Sequence, residues 1–306
     1  MRQELLATQQ DIVACYRIFL NREPDEQGFR AFSKLVDGGI SVQKLAELLR
    51  GSTEALLVKS QQESGELTTV RLPGFSMLIL PAWNAISAEL SATNNYEPHI
   101  SSHLKEMVRP GMVFVDIGAN IGFYSMLAAS KGAEVEAFEP HGRNIWFLKK
   151  NAEINKFNIN IHPVALADSE RLFLYAPIGG NGQIAELTDS VPAEDHQILQ
   201  ARSLDCVLGQ KIPSIVKIDV EGAEGIVMRG AQRSLDAKPV VFSEFSAAAM
   251  NAGPVSAIEY LNMFVLRGYK LSLCRRDGSL KSVDAKQLEQ ASLDSESSFV
   301  DFVAIA

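Results

Sequence analysis

The sequence predicts an α/β fold: a mostly parallel sheet with helical crossovers, preceded by a small all-helical segment. Three observations carry that prediction. Apolar runs ending on a carboxylate, such as Val113-Phe114-Val115-Asp116 and Ile215-Val216-Lys217-Ile218-Asp219, alternate with helix-like runs, a pattern that builds βαβ units. The first run passes through Gly118-Ala119-Asn120-Ile121-Gly122 into a helical run closed by Gly132. Glycines allow a sharp turn and close ligand approach. The first 65 residues, by contrast, repeat their apolar positions at helical spacing.

Ile12, Val13, Tyr16, Phe19 and Leu20 mark a first helix. Pro24-Asp25 opens a second, with Asp25 as cap and Phe29, Phe32 and Leu35 on its inner face. Gly38-Gly39 ends it, and Ser41 caps a third helix carrying Leu45, Leu48 and Leu49. Residues 61–66 are polar and read as a linker, so the expected division is a helical domain at 1–65 and a second domain at 66–306. Residues 67–81 suit strands or a hairpin. Residues 95–108 suggest a helix stopped by Pro110-Gly111. Strands and helices then alternate to Glu244. Residues 172–176 read as an extra strand or a hairpin insertion, and Gly179-Gly180-Asn181-Gly182 as a flexible loop suited to a lid. Residues 269–274 and 299–305 are the last two expected strands; the stretch between them is too polar for a buried helix throughout.

Composition narrows the function. A net charge of -8 opposes bulk binding to a phosphate backbone, so nucleic acid is not the expected partner. Cys15, Cys206 and Cys274 are scattered, without metal or disulfide spacing, which fits a reducing compartment. The first eleven residues lack the apolar stretch of a signal peptide, and no segment reaches the ~18 apolar residues of a membrane span. A cytoplasmic protein is expected.

The glycine turn selects among ligands. A G-x-G-x-x-G fingerprint needs glycine at 118, 120 and 123, where this chain has Gly118, Asn120 and Phe123. Asp116 beside the turn is a poor neighbour for a pyrophosphate and a good one for an amino group or a sulfonium. That favours S-adenosylmethionine over NAD. Glu139, ending the next strand, is placed for ribose hydroxyls. A tight βα connection that binds nothing is the plain alternative.

Taken together, the runs 116–123 (D-I-G-A-N-I-G-F), 137–140 (A-F-E-P), 163–168 (P-V-A-L-A-D), 217–224 (K-I-D-V-E-G-A-E) and 239–244 (P-V-V-F-S-E) resemble the FkbM-type family of S-adenosylmethionine-dependent methyltransferases. The resemblance covers about residues 95–245 and weakens toward the C-terminus. It implies a class I methyltransferase (Rossmann-like) fold: a mostly parallel seven-stranded sheet of order 3-2-1-4-5-7-6, strand 7 antiparallel. It also implies, usually, methyl transfer to an oxygen. Residues 16–25, with Gly28, Gly38-Gly39 and Ser52-Thr53-Glu54, resemble a small helical domain of unknown function found on bacterial surface and glycosylation proteins. Asp25 and Gly28 hint at a cation loop, but the alternating oxygen ligands are missing, so a capped helix–helix turn is the reading.

Asp116, Gly118, Asn120 and Gly122 are expected around the methionine end of the cofactor, and Glu139 at its ribose. Asp168 follows a third strand and is assigned to the adenine amino group, or is a turn-former. Asp219 ends the fourth strand beside the topological switch. It is either the general base for a hydroxyl or an anchor for the cofactor amine. Lys217 shares its strand face, and Glu244 is its candidate partner, as catalytic group or as structural ion pair. Glu221 and Glu224 suit a helix N-terminus; a divalent metal at these carboxylates has no supporting spacing, and none is expected. His99 reaches toward the site from a lid helix or sits at the core edge; Tyr96 and Glu97 stand beside it, Glu97 assigned to the cofactor.

The expected activity is methylation of a hydroxyl on a sugar, glycan or secondary metabolite. The rivals are a nicotinamide-dependent oxidoreductase and a non-catalytic scaffold working through the N-terminal helices. A partner, a glycan and a second copy of the chain are the open alternatives for those helices.

Overall fold

Apolar runs of four to six residues line up as the strands of one twisted sheet in the computed structural model. The structure describes residues 6–17, 24, 26–50, 66–81, 83–178, 181–186, 197–295 and 297–306. They fall into two compact units, Met1–Glu66 with Leu80–Trp83, and Leu67–Ile79 with Asn84–Ala306. Among the described residues, no helix is long and apolar enough to cross a membrane.

The first unit holds helices α1 (Gln9–Cys15), α2 (Glu26–Asp37) and α3 (Val42–Arg50). Ile12, Cys15, Tyr16, Leu45 and Leu49 are buried together, with Phe29, Phe32 and Val36 packed on them. The Tyr16 and Phe32 rings meet edge-to-face at 6.0 Å. Gly39, at φ 83°, turns the chain out of α2. Phe19, Leu20 and Asp25 lie outside the described residues.

The second unit opens on a hairpin, β1 (Thr68–Leu72) and β2 (Phe75–Ile79), then α4 (Ala85–Thr93) and α5 (Pro98–Met107). A Rossmann-like alternation follows: β3 (Val113–Ile117), α6 (Phe123–Ser130), β4 (Glu134–Phe138), α7 (Gly142–Asn155) and β5 (Ile159–His162). Next come β6 (Ala165–Leu166), β7 (Arg171–Ile178), β8 (Asn181–Glu186), β9 (Gln197–Arg202) and α8 (Leu204–Leu208). The chain then forms β10 (Ile215–Ile218), α9 (Glu224–Arg229), α10 (Gln232–Asp236), β11 (Val240–Phe245), α11 (Ala247–Asn251) and α12 (Ala257–Val265). It ends with β12 (Lys270–Cys274), β13 (Leu280–Val283), α13 (Ala285–Leu293) and β14 (Val300–Ile305).

The main sheet runs β13-β12-β14-β11-β10-β3-β4-β5. Counting β3, β4, β5, β10, β11, β12 and β14 as strands 1 to 7 gives 3-2-1-4-5-7-6, with β14 antiparallel to both neighbours. The expected class I fold therefore holds, with β13 added at one edge. Phe114, Phe138, Phe242, Phe245 and Phe302 are at most 1% exposed; burying each such ring contributes roughly 1.5–3 kcal/mol.

Several local expectations need correction. Asp168 does not follow a strand of the main sheet: after β5 the chain turns into β6, which pairs with β9 in a separate four-stranded sheet, β6-β9-β7-β8. The Asn181-Gly182 part of the supposed loop belongs to β8, paired with Ile178 and Pro177; Gly179 and Gly180 lie outside the described residues. The polar segment after β12, as expected, holds no helix buried throughout: it folds as a hairpin strand and an amphipathic helix, α13, burying Leu288 and Ser292. Helix α4 has no counterpart among the sequence expectations.

Register sets the site. Lys217 lies beside Asp116 on β3 and Phe242 on β11, and Glu244 lies opposite Asp301 on β14. Side chains alternate along a strand. Asp116, Lys217, Glu244 and Asp301 therefore share one face near the carboxyl ends of the parallel strands.

Candidate active site

The turn after β3 keeps its amides for itself. Gly118 and Ala119 N–H groups both donate to the Phe138 carbonyl, at 3.0 and 2.9 Å. Asn120 N–H donates to Glu139 Oε2 at 2.8 Å, Ile121 N–H to Asn120 Oδ1 at 3.0 Å, and Gly122 N–H to the Ala119 carbonyl at 2.8 Å. A pyrophosphate held by such a loop needs free N–H groups, and these five are engaged. Gly118 is required for packing: a Cβ there would lie 1.9 Å from the Asp219 carbonyl oxygen, and its φ is +78°. Gly122 serves the same end, since its Cβ would lie 2.3 Å from Leu148 Cδ1.

Glu139 closes the turn from the neighbouring strand. Its Oε1 accepts from His141 N–H at 2.8 Å. Burial pushes its carboxyl up to about 7, against the lowering effect of the two backbone donors. A carboxylate has about four acceptor positions, so capacity remains for ribose hydroxyls. Asp116 is 2% exposed and accepts from Ser125 Oγ at 2.6 Å; burial pushes it up to about 6.

The tip of β10 supplies the other half. Lys217 is 2% exposed, and its Nζ lies 3.5 Å from Asp219 Oδ2 and 5.4 Å above the Tyr124 ring. Burial alone would lower the Lys217 pKa, but Asp219, Glu97, Asp301 and Glu244 together raise it well above its usual value. The partner within ion-pair distance is Asp219, not the Glu244 expected from sequence. Two-residue spacing on one strand face explains the pairing. Burial and Asp219 push Glu244 up to about 10. Glu97 takes a left-handed conformation, φ 39°, as the cap of α5, and its Oε2 accepts from the Tyr124 hydroxyl. Beyond Asp219, Glu224 accepts from Val220 and Gly222 N–H groups at 3.0 and 3.2 Å and so shapes the loop.

These groups line one cavity of about 360 Å3, within the usual range for small-molecule sites. Asp116, Gly118, Asn120, Glu139, Glu97, Lys217, Asp219 and Glu244 stand on its wall. Gly122, Asp168 and His99 do not. His99 is 2% exposed and spends Nε2 on Asp301 Oδ2 at 2.9 Å, so the core-edge alternative describes it. Asp168 accepts from Ser169 Oγ at 3.1 Å. Sequence reasoning missed Glu89, Tyr124, Asn144, Arg276 and Phe299, which also line the cavity. Tyr124 directly follows the glycine-turn motif in the sequence; the others arrive from separate elements.

The wall carries carboxylates on both sides and the spent amides between them, a surface suited to a ligand with positive charge and hydroxyls. S-adenosylmethionine, with its sulfonium, amino group and ribose, fits that description; a dinucleotide pyrophosphate does not. Asp116, Asn120 and Glu139 all stand on that wall.

No curated protein sequence matches the chain. Among solved structures it is similar to a Pyrococcus abyssi tRNA (uracil-54, C5)-methyltransferase in complex with S-adenosyl-L-homocysteine. The identity is 15% and the TM-score 0.42, covering 78% of this chain and 44% of that one. It is similar to precorrin-6y C5,15-methyltransferase from Geobacter metallireducens at 13% identity and TM-score 0.36, covering 68% and 88%. Methanocaldococcus jannaschii Trm5 in complex with adenosine aligns at 12% identity and TM-score 0.40, covering 78% and 53%. The chain thus spans less than half the length of the first of these proteins. Residues 116–271 match the methyltransferase FkbM domain. That match starts at the first carboxylate of the site and takes in the glycine turn, Glu139, the Lys217–Asp219 pair and Glu244. The chain therefore belongs to the FkbM methyltransferase family, with S-adenosylmethionine as its cofactor.

Proposed function

We propose that this chain transfers a methyl group to a hydroxyl oxygen of a sugar, glycan or other small acceptor, with Asp219 as general base. The observation that carries the reading is the Lys217–Asp219 pair at the tip of β10, on the wall of the cavity that also holds Asp116 and Glu139. Bound there, S-adenosylmethionine supplies an electrophilic methyl group. Asp116, Asn120 and Glu139 orient it. Asp219 takes the hydroxyl proton, a role worth ~10²–10⁴-fold, and Lys217 fixes the position of its carboxylate. Phe299, with the Arg276 guanidinium 6.0 Å from its ring centre, offers the wall an aromatic plane for a sugar face. The free thiols of Cys15, Cys206 and Cys274 suit a cytoplasmic location.

Binding tests the first half of the reading. S-adenosylmethionine and its demethylated product should bind in titration calorimetry, and NAD should not. At a hundred times the dissociation constant the ligand adds ~2.7 kcal/mol, a melting shift of roughly 5 °C or more. Unchanged melting curves at millimolar ligand would sink the assignment. Label transfer from methyl-labelled cofactor to a panel of sugars and glycans tests the second half. Transfer to amines or to tRNA alone would overturn the hydroxyl acceptor.

A further inference from the structure

Behind the Lys217–Asp219 pair lies a cluster of three carboxyl groups with no Lys or Arg at ion-pair distance among the described residues. Glu97, Glu244 and Asp301 each offer a carboxylate oxygen, the three within 4.8 Å of one another. They come from three elements: the cap of α5, the end of β11 and the start of β14. Asp301 is 4% exposed. Its Oδ2 meets His99, and its Oδ1 is buried with no hydrogen-bond partner. Among the described residues, no Lys or Arg nitrogen lies within 4.0 Å of any of the three; the ion pair of Lys217 is with Asp219, and it acts on the three at longer range. A buried carboxylate oxygen left without a partner is destabilising.

We infer that Glu97, Glu244 and Asp301 form a binding site for a hard divalent cation of the magnesium, manganese or calcium type. Geometry supports an ion. Three oxygens no more than 4.8 Å apart share a point within about 2.8 Å of each, and small side-chain rotations reach the 2.0–2.6 Å of hard-cation coordination. The all-oxygen donor set excludes a preference for soft metals. Glu97 and Glu244 stand on the cavity wall, but Asp301 does not. A small bare ion suits a site whose third ligand lies behind the cavity wall. Tyr124 occupies Glu97 Oε2 and leaves Oε1 for the ion. His99 orients Asp301 as an outer-shell partner does. A second triplet, Asp219, Glu221 and Glu244, shares Glu244 but has no orphaned buried oxygen, so the assignment falls on the first. Three protein ligands leave coordination positions open toward the cavity, where water or an acceptor oxygen completes the set.

The test reads binding and does not depend on the methyl-transfer reading. Full-length protein is freed of metal with a chelator and titrated with manganese ion, followed by electron paramagnetic resonance. One equivalent should bind with a dissociation constant in the micromolar range, and magnesium or calcium should displace it. Glu244→Gln and Asp301→Asn should each weaken binding at least tenfold, and His99→Gln by about 10–100-fold. Glu221→Gln should leave it unchanged. Glu244 is partly exposed, so its variant remains informative if Asp301→Asn fails to fold. No bound manganese at millimolar concentration, unchanged affinity in Glu244→Gln, or loss of affinity in Glu221→Gln would each overturn the assignment.

Discussion

Lys217 and Asp219 sit two residues apart on one strand, yet one is 2% exposed and the other 26%. The ammonium is held in the core by the carboxylate at its edge, and that carboxylate faces the cavity. Asp219→Asn keeps the shape and removes the charge. Turnover on the true acceptor should fall ~10²-fold or more while cofactor affinity changes little, because the loss is confined to the transition state. Parallel measurement of kcat and of the cofactor dissociation constant decides it; a matching loss of affinity makes Asp219 an anchor, and near-normal turnover removes it from the mechanism. Glu139 gives a pH test. Its carboxyl, raised to about 7 by burial, starts from roughly 4.3 in the unfolded chain. The folded state therefore binds the extra proton between those values, and this group's contribution to stability declines as pH rises through that window. Cofactor binding runs the other way, since only the ionised carboxylate accepts both ribose hydroxyls. Affinity should climb between pH 6 and about 8. Glu139→Gln should flatten the upper part of that profile, leaving the part near pH 6 that Asp116 contributes. A flat profile in the native protein counts against the ribose role. Asp116, Glu139 and Asp219 were legible in the sequence because each ends an apolar run, and strand ends converge in an open α/β sheet. His99 and Asp168 were not, because their places depend on Asp301, some 200 residues away in the chain, and on a second sheet.

Helix α7 shows how one element holds another in place. Asn151 Oδ1 accepts from Leu78 N–H at 2.6 Å, and its Nδ2 donates to the Leu78 carbonyl at 3.3 Å and the Ile121 carbonyl at 2.9 Å. One turn later Asn155 accepts from Ser76 N–H and donates to the Ser76 carbonyl, both at 2.7 Å. Two amides at i and i+4 lie on one helix face and here stand in for a neighbouring strand along β2. They blunt an edge that would otherwise offer unpaired backbone groups. Asn151→Ala should cost roughly 2–4 kcal/mol, since buried backbone groups of Leu78 and Ile121 lose their partners. Hydrogen exchange should show the Leu78 amide losing protection while the amides of β3 keep theirs. Unchanged Leu78 protection would mean that water replaces the clamp at no cost. Because Ile121 belongs to the glycine turn, cofactor affinity should weaken as well. None of this was readable from the sequence: an asparagine on a helix face looks solvated until the strand beside it is known. Strands β3, β4, β10 and β11 were readable, since short apolar runs ending on carboxylates mark them locally; β5, Ile159–His162, was not, and the run after it was taken for the third strand. Helix α4 was missed because its pattern, Ala85-Ile86-Ser87-Ala88-Glu89-Leu90, has a weak apolar stripe; Asn84 caps it, accepting from Ser87 N–H at 2.8 Å.

At the scale of the whole molecule, the sheet order was expected from the family resemblance, because pairing between distant strands is not encoded in any local pattern. The cavity needs only the second unit: every residue on its wall lies between Ala85 and Phe299. Helices α1, α2 and α3 have a small core of their own around Ile12, Leu45 and Leu49. A chain beginning at Leu67 should therefore fold and bind S-adenosylmethionine with near-native affinity. It keeps Leu80–Trp83 but loses the rest of the unit to which that segment belongs. A burden of one or two exposed apolar side chains, about 1.5–3 kcal/mol each, should lower its melting temperature by several degrees. Circular dichroism reports the fold, calorimetry the affinity, and label transfer the activity. Folded protein that binds cofactor but methylates nothing would place acceptor delivery in the helices. Insoluble protein, or folded protein blind to cofactor, would make them part of the catalytic body and refute the division into separable domains.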